Sequence, residues 1–176
     1  GPYLKGIRKG NAKYLLASHF DKLYNPTKFD KSYVILNENL EDELLKKNDV
    51  ILAGKGQRTF AWAYDDLMGA CIPSSLFFVL RTDVSFVIGK YFAYYLNSEP
   101  IQFKLKLIGG GLTIPSIPKK ELRNLPISIP TISEQKKFIK MAELLEEDIA
   151  LSELLIRKKK ALRKTIINRM ITNQNK

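Results

Sequence analysis

Three short runs hold the side chains best suited to reading a polyanion. In Gly54-Lys55-Gly56-Gln57-Arg58 the glycines let backbone come close to another molecule, and Lys55 suits a phosphate oxygen. Gln57 and Arg58 carry the planar groups that make paired hydrogen bonds to adenine and guanine edges. The run KLKLIGGGLTIPSIPK offers Lys104, Lys106 and the backbone of Gly109, Gly110 and Gly111 to phosphate, with Thr113 nearby. Lys13, His19, Lys22, Lys28 and Lys31 form a looser third group. Each run also has an ordinary reading: a solvated hairpin tip, a glycine linker between helix and strand, and plain surface lysines.

Bond-breaking chemistry finds no comparable footing. His19 is the only histidine and has no cysteine partner or metal-ligand spacing, so a structural or DNA-facing role is expected of it. Carboxylates are scattered, and Gly-Lys-Gly-Gln-Arg lacks the Gly-Lys-Ser/Thr ending of a phosphate loop. No Asn-Pro-Pro-Tyr-like tetrapeptide of adenine methyltransferases occurs. Cys71 stands alone in apolar surroundings, which reads as a buried, inert thiol and suits a reducing cytoplasm. The expectation is a non-catalytic protein with no cofactor and no metal.

Composition points the same way. Twenty-nine Lys and Arg against 18 Asp and Glu, with a pI near 9.6, favour a polyanionic partner, nucleic acid before an anionic membrane surface. A hydrophobic share of 45% in 176 residues supports a packed core rather than disorder. No apolar run reaches the ~18 residues that a membrane span requires. Gly1-Pro2 looks like the remnant of a cleaved tag.

The elements that must position these runs divide at Pro130. Residues 3–130 read as an α+β domain with mainly antiparallel strands and short helices. Strands are expected at Lys13–Phe20, Ser32–Asn37, Asp49–Gly54, Arg58–Asp65 and Ser74–Arg81. A helical turn or loop is expected at Leu40–Lys47. An amphipathic helix should run from about Phe86 to Asn97, and a second from Ile101 to Leu107. A helical turn at Lys119–Asn124 and a last strand at Leu125–Ile129 complete this domain.

Beyond Pro130 the pattern changes. Thr131 and Glu134 match a capping box, with Ser133 as an alternative N-cap, and from Lys136 to Lys176 there is neither Pro nor Gly. One helix is expected over 131–171, before a disordered tail at 172–176. Its apolar positions, Phe138, Met141, Ala142, Leu145, Ile149, Leu155, Ile156, Leu162, Ile166, Ile167 and Met170, gather on one side. Packing against the chain's own domain would use that stripe, but the helix length favours a coiled-coil-like pairing with another helix. Six acids lie between Glu134 and Glu153, whereas Arg157, Lys158, Lys159, Lys160, Arg163, Lys164 and Arg169 follow with no acid after Glu153. Two such helices attract when antiparallel and repel when parallel.

The order NDVILAGKG, YFAYYLNSEPIQ and GGGLTIPSIPKKELRNLPISIPTISEQKKFI resembles the specificity subunit of type I restriction-modification systems. Leu122, Leu125, Ile127, Ile129, Pro130, Glu134 and Gln135 stand where that family has its passage into a long conserved-region helix. The likeness covers nearly the whole chain, loosely over Tyr3–Asn37. It implies a target-recognition domain for double-stranded DNA, working with methyltransferase (modification) and restriction subunits that carry the catalysis. Full subunits of the family hold two recognition domains and two antiparallel helices, whereas this chain has one of each. The resemblance therefore implies a half-length subunit that forms a homodimer through its helix, or half of a longer protein. A standalone basic scaffold that binds nucleic acid non-specifically is the rival reading.

Overall fold

The run Val50-Ile51-Leu52-Ala53 is apolar at every position, as a strand covered on both faces must be. In a computed structural model, which describes residues 1–27, 29, 32–110 and 115–173, this run is strand β3 (Val50–Ala53), and all four of its residues are buried. It is the centre of an antiparallel sheet with β4 (Ala61–Ala63) and β6 (Phe77–Leu80), in the order β4-β3-β6. Successive side chains of a strand point to opposite faces. Val50 and Leu52 accordingly join a cluster with Phe92, Leu96, Ile101 and Leu105. Ile51 and Ala53 join an aromatic cluster around Phe20, Phe60 and Phe77.

A second sheet is built on β1 (Ala12–Leu15). It pairs antiparallel with β2 (Tyr33–Val34) and parallel with β5 (Cys71–Pro73), so one pair departs from the antiparallel set expected. β5 is an element that the sequence pattern did not single out. Its Cys71 is fully buried, and burial pushes the thiol up to about 11, so it stays protonated at neutral pH. β1 ends earlier than expected, at Leu15, and a 3-10 turn over Ala17–His19 follows it.

The helices fall near the expected places, although the first begins ahead of the Leu40–Lys47 segment and the second starts at Gly89 rather than Phe86. α1 is a single turn (Glu38–Glu41), α2 spans Gly89–Asn97, α3 Glu99–Gly109 and α4 Lys119–Arg123. The last strand expected, Leu125–Ile129, does not form. Pro126 and Pro130 lack the N–H groups a ladder needs, and only Leu125 is buried, while Ile127 and Ile129 are exposed.

α5 spans Ile132–Asn173, 42 residues, or about 60 Å at 1.5 Å per residue. Thr131 is its N-cap: the Glu134 N–H donates to Thr131 Oγ1 at 3.3 Å, and Glu134 Oε2 accepts from the Thr131 N–H at 2.9 Å. The chain divides into two compact units, Gly1–Gln135 and Lys136–Lys176, so this first turn belongs to the first unit. In the second unit the stripe from Met141 to Met170 is open to solvent, with Leu145 58% and Ile149 50% exposed.

Two side-chain amides organise the start of α2. A helix N-terminus leaves N–H groups without intrahelical partners. Here the Ile88 N–H donates to Gln135 Oε1 at 2.9 Å and the Gly89 N–H donates to Asn48 Oδ1 at 2.5 Å. Gln135 Nε2 donates to the carbonyls of Phe86 (2.8 Å) and Pro130 (2.9 Å), and Asn48 Nδ2 donates to the Val87 carbonyl (3.0 Å) and Thr82 Oγ1 (2.7 Å). Gly89 has to be glycine, because a Cβ there would sit 2.6 Å from the Asn48 carbonyl oxygen. Gln135 itself is fully buried. Replacing it with leucine keeps the volume but leaves one N–H and two carbonyls short of a partner. The Gln135→Leu chain is therefore expected to lose about 2–4 kcal/mol of stability. Urea unfolding should show this as a lower midpoint with an unchanged slope.

Candidate nucleic-acid interface

β3 leaves the sheet into the turn 54–58. Gly56 stands at φ 102°, a conformation that a side chain would strain, whereas at Gly54 an added Cβ would sit 2.2 Å from the Phe78 ring. The turn is held on two sides. On one, Lys55 and Ser116 form an isolated antiparallel bridge, the Gly56 N–H donates to the Pro115 carbonyl (2.9 Å) and the Ile117 N–H donates to the Gly54 carbonyl (2.8 Å). On the other, Arg58 Nη1 donates to the Phe20 carbonyl at 3.0 Å and Nη2 to the Asp21 carbonyl at 2.5 Å. The guanidinium also lies 5.2 Å from the centre of the Phe60 ring.

Three segments far apart in sequence thus meet at one turn. The second candidate run adjoins through residues 115–117, and a Cβ placed on Gly109, at the end of α3, would lie 3.5 Å from Ile117 Cγ1. The third adjoins through Phe20 and Asp21, next to Lys22. The side chains of Lys55 and Gln57 are exposed and make no hydrogen bond among the described residues.

Other candidates are placed differently. α3 runs through Gly109, with Gly110 as its C-cap, whose N–H donates to the Leu107 carbonyl at 3.4 Å. A helix C-terminus presents carbonyls and a partial negative charge, so the glycine backbone at Gly110 is a poor phosphate cradle. Contact with an anion at this end falls to side chains. Lys106 lies one turn before Gly110, whereas Lys104, two residues earlier, is exposed on a different face. Thr113 lies outside the described residues, as do Lys28 and Lys31.

Lys13 is engaged inside the fold: its Nζ donates to the Met68 carbonyl at 2.6 Å and lies 5.5 Å from the centre of the Phe29 ring. His19 is buried, and its ring nitrogens both have protein partners. The Leu16 N–H donates to Nδ1 (3.1 Å), so Nδ1 is unprotonated, and Nε2 lies 2.9 Å from Ser32 Oγ. That leaves neutral imidazole with its proton on Nε2, and burial lowers its pKa below the usual 6.5. Lys22 is exposed at the tip of its loop. Among the described residues, no group of His, Cys, Asp and Glu side chains could hold a metal ion, and no helix is long and apolar enough to cross a membrane.

The polar residues that matter most for this architecture were not among the candidates. Asn97 grips the open edge of β4, with Oδ1 accepting from the Ala61 N–H and Nδ2 donating to the Ala61 carbonyl, both at 2.8 Å. Asp49, fully buried, receives Arg81 Nε and Nη2 at 2.8 Å each. An Asn next to Asp at the mouth of an apolar strand was the one available hint of the Asn48–Asp49 pair. Asp49 also accepts from the Lys46 N–H at 2.8 Å, but the other partners of the pair, Arg81, Thr82, Val87 and Gly89, lie more than 30 residues away.

A family model described as a type I restriction modification DNA specificity domain matches residues 6–162. No curated protein matches the chain at a significant level. The matched span is most of the chain: it belongs to that family, and its role in a type I restriction-modification system is DNA recognition.

The histidine gives a pH test of this geometry. Its folded-state pKa lies below the unfolded value near 6.5, so the unfolded chain binds the proton first. The contribution is complete above pH 6.5 and declines as pH falls through the folded pKa. Stability is therefore expected to drop as pH falls below about 6.5. His19→Asn should be less stable at pH 7.5 but should lose that slope, as read from urea midpoints across the range.

Proposed function

We propose that this chain reads one half of a bipartite double-stranded DNA target, through a face centred on the turn 54–58, and leaves catalysis to other subunits. The observation that carries the reading is the convergence on that turn. Lys55 and Gln57 are exposed side by side on a turn braced from both flanks. In this reading Lys55, Lys22 and Lys106 take phosphates, Gln57 reads a base edge and Lys104 lies at the margin. Lys13 and His19 support the face from within. The methyltransferase and restriction subunits supply methylation and cleavage, and the complex works in the cytoplasm.

The spacing between two half-sites would be set by α5. Its exposed apolar stripe and its run from acid to base support an antiparallel homodimer of two such helices. The methyltransferase subunits would dock on those helices and on the recognition domains. The alternative, a basic scaffold indifferent to sequence, separates from this reading by specificity: it binds all duplexes alike.

Both halves of the proposal can be measured on the full chain. Lys55→Gln should weaken duplex binding and lower the slope of log affinity against log salt by about 0.9, one phosphate contact. An unchanged slope would remove the turn from the interface. Solution mass at several concentrations should report a dimer. Converting Leu145 and Ile149 together to lysine should raise its dissociation constant by more than about a hundredfold, since two buried aliphatic side chains are worth at least ~3 kcal/mol. A wild-type chain that stays monomeric throughout would contradict the paired-helix arrangement.

A further inference from the structure

The loop from Asp21 to Asn25 is held in a fixed shape although its tip lies outside the core. Asp21 Oδ1 accepts hydrogen bonds from the N–H groups of Leu23 (2.8 Å) and Asn25 (2.9 Å), and the Asp21 N–H donates to the Asn25 carbonyl at 3.0 Å. Phe20 and Pro26 close its base as a β-bridge. Tyr24 stands at φ 64°, the left-handed region that strains a bulky residue. Such strain persists only where the surroundings over-determine it. Here the Tyr24 ring is stacked on Phe60, with centroids 5.3 Å apart and planes within 1° of parallel.

That scaffold presents two side chains, Lys22 and Leu23, both open to solvent, with Leu23 63% exposed. The one carboxylate of the loop, on Asp21, is turned to its own backbone amides. The loop is also latched to the turn 54–58, because the two terminal nitrogens of Arg58 bond to the carbonyls of Phe20 and Asp21. Both terminal nitrogens of Arg58 are thus engaged by this loop.

From these contacts we propose that the Asp21–Asn25 loop is a second DNA-contacting element, held in register with Gln57 by Arg58 acting as a positioning residue. Lys22 takes a phosphate, and Leu23 meets the apolar part of a base edge, such as a thymine methyl. The inference rests on the reading that the turn 54–58 faces DNA, and the controls below separate the two.

The test uses the full chain and a random-sequence 30-base-pair duplex, with affinity measured at 50 and 200 mM salt and thermal midpoints recorded for every variant. Each phosphate contact accounts for about a threefold share of the affinity lost over that range. Lys22→Gln, on an exposed tip, should fold normally and shrink the loss by that factor. In the Arg58→Gln background the same change should do nothing further, because the loop is no longer held. Arg58→Lys keeps the charge but not the two-pronged grip, so it should behave like Arg58→Gln.

Equal effects of Lys22→Gln with and without Arg58, or full binding by Arg58→Lys, would overturn the latch. A silent Lys22→Gln beside a weakened Lys55→Gln would overturn the loop contact alone. Silence from both would overturn the turn's DNA contact, and this inference with it.

Discussion

A strand with no face turned to water governs the first unit. Because Val50, Ile51, Leu52 and Ala53 are all buried, the chain has to place packing layers on both sides of β3. α2 and α3 cover one face, and the aromatic cluster covers the other. Only the ends of the strand are left to meet polar groups. At one end the buried Asp49 carboxylate is paired with the Arg81 guanidinium, whose side chain is half-exposed, and a buried carboxylate without such a partner would be costly. At the other the chain emerges as the Gly-Lys-Gly turn, which inherits the rigidity of the strand behind it. A recognition element needs that kind of support, since loosely held contacts bind weakly and discriminate poorly.

Side-chain amides finish what the backbone cannot. Asn48 and Gln135 satisfy the first N–H groups of α2, and Asn97 substitutes for a missing neighbour strand along β4. Gln135 is the point at which the first turn of α5 joins the hydrogen bonding of the first unit. The Glu134-Gln135 pair thus has a divided physical meaning. The glutamate caps its own helix, while the glutamine serves the start of another.

The sequence spoke clearly wherever local chemistry decided the outcome. The buried strand before Gly54, the helix ending at Asn97, and the cap at Thr131 all depend on spacing within a few residues. It was silent where distant segments decide. β5 was missed because Cys71-Ile72-Pro73 is too short to show a period, and its parallel pairing with β1 has no local signature. The strand expected at Leu125–Ile129 fails for a reason present in the sequence, namely two prolines whose missing N–H groups outweigh the β-branched residues between them. For the site, residue type picked out runs that the fold brings to one turn, but it did not give the contacts each side chain makes there. Nothing local distinguishes Arg58, gripping two carbonyls, from Gln57 beside it, which is free to reach outward. Nor does anything local reveal that His19 is an internal acceptor.

The central claim is that the turn 54–58 reads sequence in DNA. Its most direct test is to sequence the duplexes that the full chain, assembled with its methyltransferase subunit, retains from a randomised pool. One short motif should be enriched, and Gln57→Ala should relax a single position within it while leaving the others intact, because an amide reads one base pair. Enrichment of no motif, or of a motif that Gln57→Ala leaves unchanged, would contradict the account.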